Sequence, residues 1–137
     1  MLISLTIRSL RYNITLEALL IGHESGLTNV RWSPTPQPVL LSTAADNSLV
    51  IWTPSSIGIW VPSHRFGALG GRGLAFYGAI WGPKGKSVMA GGWNGGWERW
   101  VETSSGVWDV KPGLTGHYGD VKSLAWDPRG DYLVSVG

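Results

Sequence analysis

Three residue types that together do nucleophilic chemistry, His23, Ser42 and Asp46, stand within one short stretch of the 137 residues. A Ser-His-Asp set is catalytic when its serine sits on an exposed, strained turn beside oxyanion donors. Ser42 instead follows Leu40 and Leu41 inside an apolar run that reads as a strand, so its hydroxyl is expected to be buried and the chain is read as no enzyme. His64 and His117 lack a second His, Cys or carboxylate at metal-ligand spacing, and His64 is expected in a loop. The sequence holds no cysteine, which leaves neither a disulfide framework nor thiolate chemistry. No catalytic, cofactor-binding or metal-binding residue is assigned.

The elements that position these residues follow from a repeat. A shift of 94 carries Gly22 and His23 to Gly116 and His117, Leu27 to Val121, Val30 to Leu124, Trp32 to Trp126 and Pro34 to Pro128. A shift of 49 carries Gly22 to Gly71, Leu27 to Phe76, Val30 to Ala79, Trp32 to Trp81 and Pro34 to Pro83, and a shift of 48 carries Trp52 to Trp100. A unit of about 47 residues therefore recurs, the length of a four-stranded propeller blade. In the first unit the strands are expected over Asn29–Ser33, Val39–Ala44, Leu49–Thr53 and Ile57–Pro62. In the second they are expected over Tyr77–Trp81, Ser87–Gly91, Trp97–Val101 and Val107–Val110. The third has two, Val121–Trp126 and Tyr132–Val136, and Ile14–Ile21 reads as an outer strand of a preceding blade. Asn94-Gly95 is the pair that most readily takes the positive φ angles of a tight hairpin.

Composition agrees with folded, turn-rich β structure: 43% hydrophobic, 15% charged, 20 Gly and 9 Trp. No apolar run reaches the length of a membrane span, and the first ten residues make a poor signal-peptide core. A net charge of +2 with scattered basic residues falls short of a nucleic-acid stripe.

The Gly-His pair, the inner strand ending in Trp, the turn aspartate and the third strand ending in Trp resemble the WD-repeat β-propeller family. That resemblance implies an all-β propeller of four-stranded antiparallel blades, here about two and a half of them. Residues 1–21 form an N-terminal segment and the outer strand of a preceding blade, 22–70 the first blade, 71–115 a second, degenerate blade and 116–137 a third, truncated one. The expectation is a fragment with blades missing on both sides. The resemblance also implies a structural tetrad, His23, Ser42, Asp46 and Trp52, hydrogen-bonded in series. In the second unit Arg72, Ala90 and Asn94 replace the first three and only Trp100 remains. Packing of Trp81, Trp93, Trp97 and Trp100 is expected to carry that blade instead, and Arg72, Lys84, Lys86 and Arg99 are its candidate partner-facing residues.

Further phrases narrow the likeness: Leu16 to Glu24, Leu40 to Asp46, Gly58-Ile59-Trp60-Val61-Pro62, Leu74 to Ala79 and Gly116 to Val121, ending in Asp127-Pro128-Arg129-Gly130. They resemble the family of WD-repeat subunits of the Elongator complex, over about Tyr12 to Gly137. What this implies is a non-catalytic scaffold in the cytoplasm and nucleus, with no cofactor of its own. It would bind other Elongator subunits and support tRNA wobble-uridine modification. The alternatives are a generic WD-repeat adaptor of another complex, a glycan-binding module built on Trp60, Trp93, Trp97 and Trp108, and direct tRNA contact.

Overall fold

A computed structural model describes residues 2–8, 14–67, 76–93, 95–114 and 116–137. The elements in chain order are β1 (Leu2–Arg8), β2 (Ile14–Ile21), β3 (Leu27–Trp32), β4 (Leu40–Ala44), β5 (Leu49–Pro54), β6 (Trp60–Phe66) and β7 (Phe76–Trp81). A 3₁₀ turn at Pro83–Gly85 follows, then β8 (Ser87–Gly92), β9 (Gly96–Ser104), β10 (Val107–Leu114), β11 (Ser123–Trp126) and β12 (Leu133–Val136). Two antiparallel four-stranded sheets, β3-β4-β5-β6 and β7-β8-β9-β10, stand between the hairpins β1-β2 and β11-β12. This is the blade architecture of a β-propeller.

β4 and β8 are buried at every position and β5 over its first four, because both faces of each sheet are covered there. Side chains alternate along a strand, so β4 sends Leu41 one way and Leu40 the other. Leu41, with Leu49 and Ile51 of β5, meets Phe76, Ala79, Trp81, Val88, Ala90 and Trp100 of the next sheet. Leu40, with Val50 and Trp52, packs on Leu20 of β2. The second sheet repeats the device: Met89 turns away from the first sheet and packs with Val121 and Leu124, partly buried Trp126 joining them. Trp81 closes the seam between the two sheets, donating its indole N–H to the Arg31 carbonyl at 3.3 Å. A pair of hydroxyls crosses the same seam: Thr43 and Thr28 bond at 2.8 Å and Thr28 donates to the Phe76 carbonyl at 3.0 Å.

Several strands differ from expectation, each for a local reason. The apolar run Ile57–Ile59 is a turn and not the start of an outer strand. Ser55 N–H bonds the Ile59 carbonyl and Gly58 takes φ 79°, leaving Ile57 77% exposed. The strand begins instead at Trp60 and runs through Phe66, so His64 lies in β6 opposite Ile51 and not in a loop. At the outer edge, β10 continues through Pro112 to Leu114, which an edge strand allows because Pro lacks only the unused donor. β3 starts two residues early, at Leu27, and β11 two residues late, at Ser123. Leu2–Arg8, for which the sequence suggests no element, pairs with β2.

Candidate functional site

The sheet register sets the candidate residues against one another. Ser42 lies on β4 between Val30 of β3 and Val50 of β5, on the same face as Leu40 and therefore on the side where Trp52 packs. The chain entering the blade brings Gly22 and His23 over that face. Gly22 is required by proximity: a Cβ there would come within 2.6 Å of the Trp52 ring. Its counterpart Gly116 has open space around it and is instead held at φ 80°.

The resulting network is a directed series of hydrogen bonds. Trp52 Nε1–H donates to Ser42 Oγ at 2.8 Å, and Ser42 Oγ lies 2.7 Å from His23 Nε2. The Ser48 hydroxyl spends its proton on Asp46 Oδ1 and so can only accept from the ring at Nδ1, which places the His23 proton on Nδ1 and leaves Nε2 to accept from the Ser42 hydroxyl. Nδ1 sits 2.8 Å from Ser48 Oγ and 3.4 Å from Asp46 Oδ2. The imidazole therefore reaches the carboxylate through Ser48, whose hydroxyl donates to Asp46 Oδ1 at 2.6 Å. Asp46 also accepts the backbone N–H groups of Glu24 and Ser48 and faces Arg65 of β6 at 3.6 Å. Arg65 ties the network further, donating to Ser48 Oγ and to the Gly22 carbonyl.

Burial sets the protonation states. Desolvation pushes the His23 imidazole below its ordinary value, outweighing the nearby Asp46 charge, so it is held neutral. Burial alone would raise the Asp46 carboxyl, but hydrogen bonds from Ser48 and Glu24 hold it below the ordinary range. Ser42 is fully buried and its oxygen is flanked by two partners. It has the residue types of a nucleophilic triad without an accessible nucleophile.

Ser48 and Arg65 are the members that the sequence reading missed. Asp46-Asn47-Ser48 is an Asx-turn pattern, in which an aspartate bonds the backbone two residues on, and this signal was present. Arg65 had no comparable signal, since its approach depends on β6 running past Pro62.

In the third unit His117 Nε2 lies 3.0 Å from Ser135 Oγ, the counterpart of the His23–Ser42 contact. In the second unit, Arg72 and Asn94 lie outside the described residues. Ala90 is buried where Ser42 would be, and Trp100 is buried against Phe66 and Phe76, with ring centroids 5.2 and 5.8 Å away. Trp81 is buried and Trp97 half-buried, but Trp93 departs from the expected packing: it is 51% exposed and stacks on Tyr77. Tyr77 in turn donates to Asp120 at 2.8 Å, tying the second sheet to the third unit. Of the candidate partner-facing residues, Lys84 and Lys86 line one cleft with Trp108 and Trp81, whereas Arg99 is half-buried mid-strand on β9 and does not. Lys86 is paired with Glu102 at 2.6 Å.

Antiparallel blades packed face to face, with a His-Ser-Trp series pinned to a turn aspartate, define a WD-repeat propeller. The family model for "WD domain, G-beta repeat" matches residues 14–53 and 108–137, and the chain belongs to that family. Among curated proteins it is similar to Elongator complex protein 2. The Schizosaccharomyces pombe protein is 36% identical over 142 residues, covering 96% of this chain and 18% of the relative. The Drosophila melanogaster protein is 38% identical over 129 residues, covering 91% and 16%. The human protein is 31% identical over 137 residues, covering 92% and 17%. The chain thus spans about a sixth of the length of these relatives. Among solved structures, a chain of "Crystal Structure of Mitotic Checkpoint Complex" superposes with a TM-score of 0.71 at 20% identity, covering 89% of this chain and 36% of that one. That likeness concerns the fold.

Proposed function

We propose that this chain is part of a non-catalytic scaffold subunit of the Elongator complex, acting in the cytoplasm and nucleus. In this reading it holds other subunits in place while they modify the wobble uridine of tRNA. The support from relatives is their name, Elongator complex protein 2, over more than nine-tenths of this chain. The physical support is one observation: the His23, Ser42 and Asp46 set is sealed, with Ser42 fully buried and bonded to Trp52 and His23. Such a network organises a blade and leaves rims and loops at fixed positions for partners.

The test is affinity purification of the tagged protein, with wobble-uridine modification measured in the same cells. Other Elongator subunits should copurify, and Ser42→Ala should lower modification only in proportion to the loss of folded protein. Copurification of an unrelated complex without any Elongator subunit would favour the generic adaptor. A loss of modification at full abundance and intact assembly would point to chemistry at Ser42.

A further inference from the structure

The turns joining the first and second strands of each unit, at residues 33–39, 82–86 and 127–132, lie side by side and interlock. Gly85 sits so close to the first of them that a Cβ would come within 2.6 Å of Thr35. Gly130 leaves similarly little room against Pro83. Two clefts open along this rim, of about 360 Å³ and about 370 Å³. Trp81 and Lys84 line both. The first cleft has apolar walls from Val39, Ile51 and Trp108; the second is walled by Pro34, Trp126 and Pro128.

Lys84 is out of place on structural grounds. Among the described residues, only Asn47 and Lys84 are non-glycine positions with positive φ. Asparagine tolerates the left-handed region through local hydrogen bonding, whereas lysine has no such means. A residue held against its local backbone preference is a starting point for a functional hypothesis. Its charge is also uncommitted: Lys86 is paired with Glu102 and Arg129 with Asp131, while no carboxylate among the described residues pairs with Lys84.

We infer that the rim groove around Lys84 receives an extended peptide segment of a partner protein, one carboxylate on Lys84 and apolar residues on either side in the two clefts. The arrangement suits a peptide better than a nucleic acid. A phosphate backbone presents charge at every step, and here the neighbouring cations are neutralised and Glu102 and Asp127 line the same walls. Interlocked turns make the groove preformed, which lowers the ordering cost of binding. The inference rests on the partner-holding role proposed above, but its readout is separate: assembly with Elongator subunits and capture of peptide at this groove can each fail alone.

The experiment is selection of random peptides displayed on phage against the intact protein, followed by affinity measurement with synthetic versions of the enriched sequences. Enriched peptides should carry an Asp or Glu flanked by apolar residues. Their binding should weaken about tenfold or more when that acid becomes Gln, or when the protein carries Lys84→Glu. Replacing the acid by Lys should restore binding to Lys84→Glu. Lys84→Gly should also bind more weakly than the parent protein, though less so than Lys84→Glu, while unfolding at the same or a higher temperature, which separates lost charge from lost fold. Failure to enrich acidic peptides, or unchanged affinity in Lys84→Glu, overturns the inference. So does a single-stranded RNA oligonucleotide whose binding, and not that of any peptide, depends on Lys84.

Discussion

Truncating Ser42 to alanine tests the network at its middle link. The hydroxyl is fully buried, accepts from the Trp52 indole at 2.8 Å and meets His23 Nε2 at 2.7 Å. Its removal orphans one donor and one acceptor, each inside a residue at most 4% exposed. A buried polar group left unsatisfied costs about 1–3 kcal/mol, so the two together should cost about 2–6 kcal/mol. Against a stability of about 5–15 kcal/mol for a typical domain, that is a large fraction. The assay is denaturant or thermal unfolding of the intact protein, read in a double-mutant cycle with Trp52→Phe. Trp52→Phe removes the indole donor and leaves a cavity. In the Ser42→Ala background it should cost less than alone, by about 0.5–3 kcal/mol, because the donor is already orphaned. Strict additivity, or an unchanged midpoint for Ser42→Ala, would refute the claim that these groups depend on one another.

Four further outcomes follow from the same geometry. Asp46→Ala strips the acceptor from Ser48 and from two backbone N–H groups and leaves Arg65 without its carboxylate; a loss of about 1–3 kcal/mol is expected by chemical denaturation. The His23 and Asp46 side chains both titrate below their ordinary values of 6.5 and 3.8 when folded. In each case the unfolded chain takes up the proton first, so stability should be level at neutral pH, fall as pH drops through His23's ordinary range, and fall again through Asp46's. Unfolding midpoints measured across pH check this, and His23→Asn should abolish the upper step. Gly22→Ala places a methyl 2.6 Å from the Trp52 ring and should destabilise by about 1–3 kcal/mol, whereas Gly26→Ala, with open space around it, should change stability little. Trp100→Ala should cost about 3–5 kcal/mol and Trp93→Ala, half-exposed on Tyr77, much less, as unfolding midpoints will show.

The repeat was legible because blades bury one another: Trp81 and Trp126 recur at the same strand position, each against the preceding sheet. Trp32 occupies the equivalent place and packs edge-on against Trp60. His23, Ser42, Asp46 and Trp52 were readable as a set because the family pattern fixes their spacing. The actual wiring was not, since whether the imidazole meets the carboxylate directly or through Ser48 is decided by angles within a turn. Periodicity failed at Ile57–Ile59, where an apolar run is overruled by Gly58 and a closing hydrogen bond. The same shift moved His64 into β6, where it stacks with Phe66 and reaches the Gly106 carbonyl at 3.1 Å.

The second sheet shows why a blade can give up the polar series. In a repeat array, stability is shared between units and their interfaces, and this sheet is gripped from both sides. On one side Leu41, Leu49 and Ile51 pack against it, with the Thr28–Thr43 pair reaching its Phe76 carbonyl. On the other, Met89 packs with Val121 and Tyr77 bonds Asp120. Ala90, in place of a serine, then fills a seam and leaves no polar group to satisfy. Apolar seams hold this sheet however its turns are shaped, so the Pro83–Gly85 turn can carry the strain at Lys84 without threatening the fold. Substitutions at Lys84 should therefore move binding far more than stability, the reverse of what Ser42 should show.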